Sequence, residues 1–176
     1  MRRLMVVVSL ILALLATGTA TAAASTGSAH WGGHIKGRTD VTLDAGAAAA
    51  LKSLGVRVAP LFASVRCAHG KVYYGFPIVG NPADGTIEHL GGLVLYTRKT
   101  GVALTRFTID LNRGVLSGRV NFGARADLFT LGAATPDGVT LSLTAGAAQA
   151  LNATFKVSAF TEGLVIGYGN PKLRHR

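Results

Sequence analysis

The chain has 176 residues, 49% of them hydrophobic, a single cysteine and a formal net charge of +10. That is one domain's worth of core, and a lone cysteine excludes any disulfide within the chain. Beyond Arg2-Arg3, most lysines and arginines stand singly, with only Arg98-Lys99 and the tail at 172–176 clustered. This pattern excludes the basic, aromatic-lined groove of a nucleic-acid binder and leaves a milder attraction to anionic surfaces or ligand carboxylates.

The first residues read as an export leader. Met1-Arg2-Arg3 is basic, 4–16 is apolar and 17–24 is built of small residues, with Ala20-Thr21-Ala22 and Ala22-Ala23-Ala24 both satisfying the small-x-small cleavage rule. About 13 apolar residues are too few for a bilayer core that takes about 20. Residues 1–24 are therefore expected to be a signal peptide. The mature chain, still basic, is expected to be secreted or cell-surface associated, with no transmembrane segment after cleavage. Residues 25–38 are rich in Gly, Ser and Ala and carry His30, Trp31 and His34. Gly32-Gly33 argues against the helix that would bring the two histidines to one face, and no third ligand follows. A flexible N-terminal arm docked by Trp31 is the expectation, not a metal site.

The next segment recurs. VTLDAGAAAAL at 41–51 matches LSLTAGAAQAL at 141–151 without a gap, and VRVA at 56–59 then resembles VSAF at 157–160. Each copy predicts a short strand, an N-cap at Asp44 or Thr144, and a helix of two to three turns. Ala47, Leu51 and Leu54, or Ala147, Leu151 and Phe155, fall on one helical face. Two copies are too few for a solenoid. They predict a structural pair, one short helix plugging each end or edge of a barrel or sandwich.

Between the copies run short strand patterns. Those at 56–62 and 72–78 come first, Pro77 marking an edge or strand end. Residues 85–122 form the longest clean stretch. Ile87 and His89 share one parity, Gly91-Gly92 breaks the strand or admits another backbone, and Leu93, Leu95 and Thr97 continue one face. After the hairpin loop at 98–101, Val102 and Leu104 lie on one parity but Phe107, Ile109 and Leu111 on the other, which predicts a β-bulge near Thr105-Arg106. Leu116, Gly118, Val120 and Phe122 are expected to face inward on the next strand, completing an antiparallel meander. Strands at 126–131 and 139–143 flank a Thr135-Pro-Asp-Gly138 turn, and 164–168 is the last before a frayed basic tail at 171–176. The expected fold is mainly β, an antiparallel sandwich or barrel of about nine strands with two short helices, residues 39–170 forming a single domain.

Linear enzyme signatures are absent: there is no G-x-S-x-G, H-E-x-x-H, glycine-rich phosphate loop or CxxC pair. Glu88 and Asp110 could pair as acid and base on neighbouring strands, but charged residues on the solvated face of a sheet are far commoner. The chain is not expected to be an enzyme. Cys67-Ala68-His69 has too few ligands for zinc, and Cys67 is expected to be buried or half-buried. His89, beside Ile87 on its strand, reads first as a half-buried, hydrogen-bonded imidazole.

The order Tyr74-x-Phe76, GTIEHLGGLVL at 85–95, L-x-x-F-x-I-D at 104–110 and G-V-L-x-G-x-V at 114–120 resembles the central part of haem-transport-associated (HtaA-type) domains of actinobacterial secreted and surface proteins. The resemblance covers roughly 74–131. It implies an all-β domain that takes haem or another flat apolar ligand, with His89 at the family's histidine and scattered basic residues for the propionates. That family also uses a tyrosine near an early Trp-Gly motif. Here Trp31-Gly32 is followed by Gly33-His34-Ile35-Lys36, which leaves His34 or Tyr74 as the substitute ligand. His89 and Tyr74 are thus the candidate cofactor-binding residues. The alternative is a structural or cell-envelope-associated β protein that meets anionic cell-wall polymers and has no small-molecule site.

Overall fold

The computed structural model describes residues 36–80 and 84–174. The expected signal peptide, His30, Trp31 and His34 lie outside the described residues, as do His175 and Arg176. Along the chain come β1 (Lys36–Leu43), α1 (Ala45–Ser53), β2 (Arg57–Leu61), β3 (Ser64–Ala68), β4 (Lys71–Val79), β5 (Thr86–His89) and β6 (Gly92–Tyr96). They are followed by β7 (Gly101–Asp110), β8 (Val115–Val120), β9 (Arg125–Thr135), β10 (Gly138–Leu143), α2 (Ala145–Phe155) and β11 (Val165–Arg174).

Eight strands close a barrel. β7, β5, β4, β1, β11, β10, β9 and β8 hydrogen-bond in that order, and β8 pairs back to β7. Every pairing is antiparallel. The remaining strands, β2, β3 and β6, are outer ones. Eight strands give an interior that side chains just fill, here by Phe76, Ile87, Phe107, Ile109, Leu116 and Leu143 among others.

The repeat explains the helices, with one correction. β1 and β10 pair with opposite edges of β11 and meet the same residue, Leu43 and Leu141 both lying opposite Gly167. Two strands antiparallel to a shared neighbour run parallel to each other, so both emerge at the same end of the barrel. α1 and α2 therefore close one end together, and do not plug one end each. Leu51, Ala147 and Leu151 line a common void there. The caps are as the sequence predicts: Asp44 accepts from the Gly46 and Ala47 amides, and Thr144 from the Ala147 amide. Asn152 then fastens the segment after α2, donating to the Phe160 carbonyl at 2.7 Å and accepting from the Phe160 amide at 3.0 Å.

The bulge is present. The β7–β8 register shifts between Thr105 and Thr108, and Arg106 adopts φ 51°. Gly91 serves the second purpose foreseen for it, with φ 80° and the Leu61 and Phe62 carbonyl oxygens at 2.8 and 2.6 Å from where a Cβ would stand. Four expectations are revised. The arm does not extend to residue 38, because β1 begins at Lys36, and the tail is not frayed through 174, because it pairs with β1. Cys67 is exposed, since β3 is an outer strand that leaves its side chains in solvent. Phe122 turns outward in the β8–β9 turn at φ 62° and is 64% exposed.

Candidate functional site

β5 has only four residues, and this shortness shapes both candidate sites. It bridges β4 and β7 with Ile78 opposite His89 and Glu88 opposite Thr108. Beyond it the wall forks: β3 takes the free edge of β4, while β6 and then β2 extend from β7.

His89 closes the barrel where β5 ends. It is 3% exposed. Its Nδ1 lies 3.2 Å from the Phe107 carbonyl oxygen and its Nε2 2.6 Å from Thr39 Oγ1. A carbonyl only accepts, so Nδ1 donates, and Nε2 is left to accept from the Thr39 hydroxyl. Both nitrogens are satisfied within the protein in the neutral ring. Burial holds the imidazole below its ordinary pKa, against a smaller raising effect from the backbone of Phe107 and Ile87. The unfolded chain therefore takes up a proton below about pH 6.5 that folded His89 refuses. His89's contribution to stability should be fully present above that pH and be lost progressively as the pH falls below it. Urea unfolding at several pH values should show this slope, and His89→Gln should flatten it. An unchanged slope in the variant would place the proton uptake elsewhere.

Tyr74 sits apart. On β4 it is four residues from Ile78, the partner of His89, a strand distance of roughly 13 Å. It is 8% exposed. Burial, and secondarily the neighbouring Cys67, push its hydroxyl above the usual tyrosine value, so it is a neutral phenol at pH 7. Among the described residues no side chain or backbone group hydrogen-bonds to it.

Two adjoining voids of about 60 and 120 Å³ lie inside the barrel, sharing Leu43, Leu93, Phe107, Phe129 and Ile166, and His89 borders the smaller. Tyr74 instead lines an open cleft of about 790 Å³ where α1 and β2 meet the β6–β7 hairpin. Leu43, Leu51, Leu54, Val58 and Tyr96 give the cleft its apolar floor, and Lys52, Arg57, Arg98 and Lys99 stand around it. Among the described residues no acidic side chain lines it. None of those cations is in an ion pair among the described residues. The structure thus places the two candidate residues at different sites. It also brings Lys52 and Arg57, which stand singly in the sequence, beside the Arg98-Lys99 pair, because the β2–β6 pairing sets Arg57 opposite Tyr96.

Glu88 and Asp110 do lie on adjacent strands, but each faces a threonine and not the other, Thr108 and Thr86 respectively, and Asp110 accepts from the Arg113 amide in the following turn. Cys67 and His69 are both exposed. No group of three or more His, Cys, Asp or Glu that could hold a metal ion occurs among the described residues.

No family model matches this chain. A search of curated proteins finds no match either.

Proposed function

We propose that this is a secreted, non-enzymatic binding domain of haem-transport-associated type that presents its cleft to a flat, anionic, largely apolar ligand, haem being the first candidate. The single observation that carries the proposal is the cleft itself: an apolar and aromatic floor, cations around it and, among the described residues, no carboxylate. Its volume of about 790 Å³ falls within the roughly 300–1,000 Å³ of small-molecule sites. The interior voids fall well below that range, so a porphyrin does not fit inside the barrel beside His89.

The cleft residues suit haem. The floor would take the macrocycle, Lys52, Arg57, Arg98 and Lys99 the propionates, and the Tyr74 hydroxyl is an oxygen donor of the kind that holds haem iron in some proteins. In this proposal Tyr74 is the ligand-side residue, and His89 has a structural part, holding β5 to β1 and β7.

Titrating the purified mature protein with haem while recording the Soret band tests this. A saturable shift is expected. Tyr74→Phe should abolish or move it, Arg98→Glu with Lys99→Glu should weaken it by about tenfold or more, and His89→Gln should leave its position unchanged. No saturable shift, or the same shift in the Tyr74 and Arg98/Lys99 variants, would overturn the proposal. Salt-sensitive binding to cell walls without any haem shift would favour the envelope-associated alternative.

A further inference from the structure

A second, separate cavity lies on the outer wall at the β7 bulge. It has a volume of about 360 Å³ and is lined by Arg106, Arg119, Arg125, Thr108 and Glu88, among others. We propose that Arg106, Arg119 and Arg125 form a binding site for a tetrahedral oxyanion, a phosphate or phosphate-ester group.

The register sets the arginines together. Arg119 lies directly opposite Arg125 across β8 and β9, and opposite Thr105 across β7 and β8. Like charges facing each other across a ladder are destabilising, and an anion between them removes that repulsion. The bulge adds the third cation. Arg106 is held at φ 51° with its amide donating to the Gly91 carbonyl at 2.9 Å. A non-glycine residue in the left-handed region persists only where its surroundings impose it, and such positions cluster at functional sites.

Arg125 is already oriented. Its Nη1 donates to Thr108 Oγ1 at 2.9 Å and Ser117 Oγ at 3.1 Å. Neither Arg106 nor Arg119 makes a side-chain hydrogen bond or ion pair among the described residues. Glu88, the one carboxylate lining the cavity among the described residues, bridges to none of the three arginines. His89, the other titratable group there, is neutral with both nitrogens occupied. The positive charge is therefore in excess, and planar guanidinium forks match the paired oxygens of a phosphoryl group.

Inorganic phosphate is the probe. Added to the folded protein in a low-salt, non-phosphate buffer, it should give saturable amide shifts centred on Arg106, Thr108, Arg119 and Arg125. Arg119→Gln should weaken binding by about tenfold or more, and Glu88→Gln should tighten it. Arg106→Gly should also weaken it while leaving stability unchanged or higher, because glycine accepts the positive φ, so that loss of binding cannot be ascribed to unfolding. Phosphatidylglycerol vesicles that displace phosphate only when Arg119 is present would identify the source as a lipid headgroup. Vesicles that do not compete would identify it as a free or polymer-borne phosphate. Non-saturable binding, or an affinity in the Arg106 and Arg119 variants unchanged from that of the unsubstituted protein, would overturn the proposal. Haem binding at the cleft is read independently of either result.

Discussion

Phe107→Ala should lower the unfolding free energy by about 3–5 kcal/mol, the range for truncating a buried aromatic side chain. The ring is 6% exposed and packs edge-to-face on Phe76, with centroids 5.3 Å apart at 84°. Such a pair adds about 0.5–1.5 kcal/mol beyond its buried area. Phe107 also borders both interior voids, so its removal would join them into one larger cavity that the closed wall cannot collapse to fill. Its carbonyl remains, so His89 keeps its backbone tether and the loss reports packing alone. Urea denaturation monitored by far-UV circular dichroism measures it. A loss below about 1 kcal/mol would mean that the wall relaxes freely around the site, contrary to a closed barrel.

Leu51→Ala and Leu151→Ala should each cost about 2–5 kcal/mol as buried leucine truncations. Equivalent positions in the two repeat copies, they meet in one void with Leu43 and Leu143 because both repeat strands flank β11. The two losses should therefore not add, the double variant departing from additivity by about 0.5 kcal/mol or more. Additive losses would mean that the helices pack in separate places, and near-neutral ones that they are not packed on the sheet. The same unfolding measurement on both single variants and the double variant decides among these.

The repeat was the most legible part of this fold. Its caps and apolar helical faces depend on local chemistry, so Asp44, Thr144, Leu51 and Leu151 could be placed from sequence alone. The bulge was legible for the same reason, as a parity switch at Thr105-Arg106 that no regular strand tolerates. Strand ends rich in polar residues were not. Residues 36–38 read as the end of an arm because they are Lys, Gly and Arg, yet they form the start of β1. Asp40 is tolerated there because Arg38, Arg66 and Lys172 surround it, two of them reaching in from other strands. Burial alone would raise its carboxyl, but the Lys172 hydrogen bond and the charges of Arg38, Lys172 and Arg66 prevail and hold it below the usual carboxylate range. Lys172 thus helps tie the supposedly frayed tail to the barrel.

The site was harder to read for a topological reason. Two residues on successive strands, Tyr74 and His89, look like partners in sequence, but β5 is so short that the wall forks between them. The cations of the cleft come from α1, β2 and the β6–β7 hairpin, assembled through a β2–β6 pairing that spans intervening strands. No local periodicity encodes such a pairing.

In the function proposed, ligand recognition belongs to the Tyr74 cleft and not to the barrel interior around His89. Chemical-shift mapping with a diamagnetic metalloporphyrin tests it most directly. Saturable shifts should cluster at Leu51, Val56, Arg57, Tyr74 and at Tyr96 through Lys99, leaving Ile78, His89 and Phe107 unmoved. Shifts centred on His89, Thr39 and Phe107, or none that saturate, would contradict it.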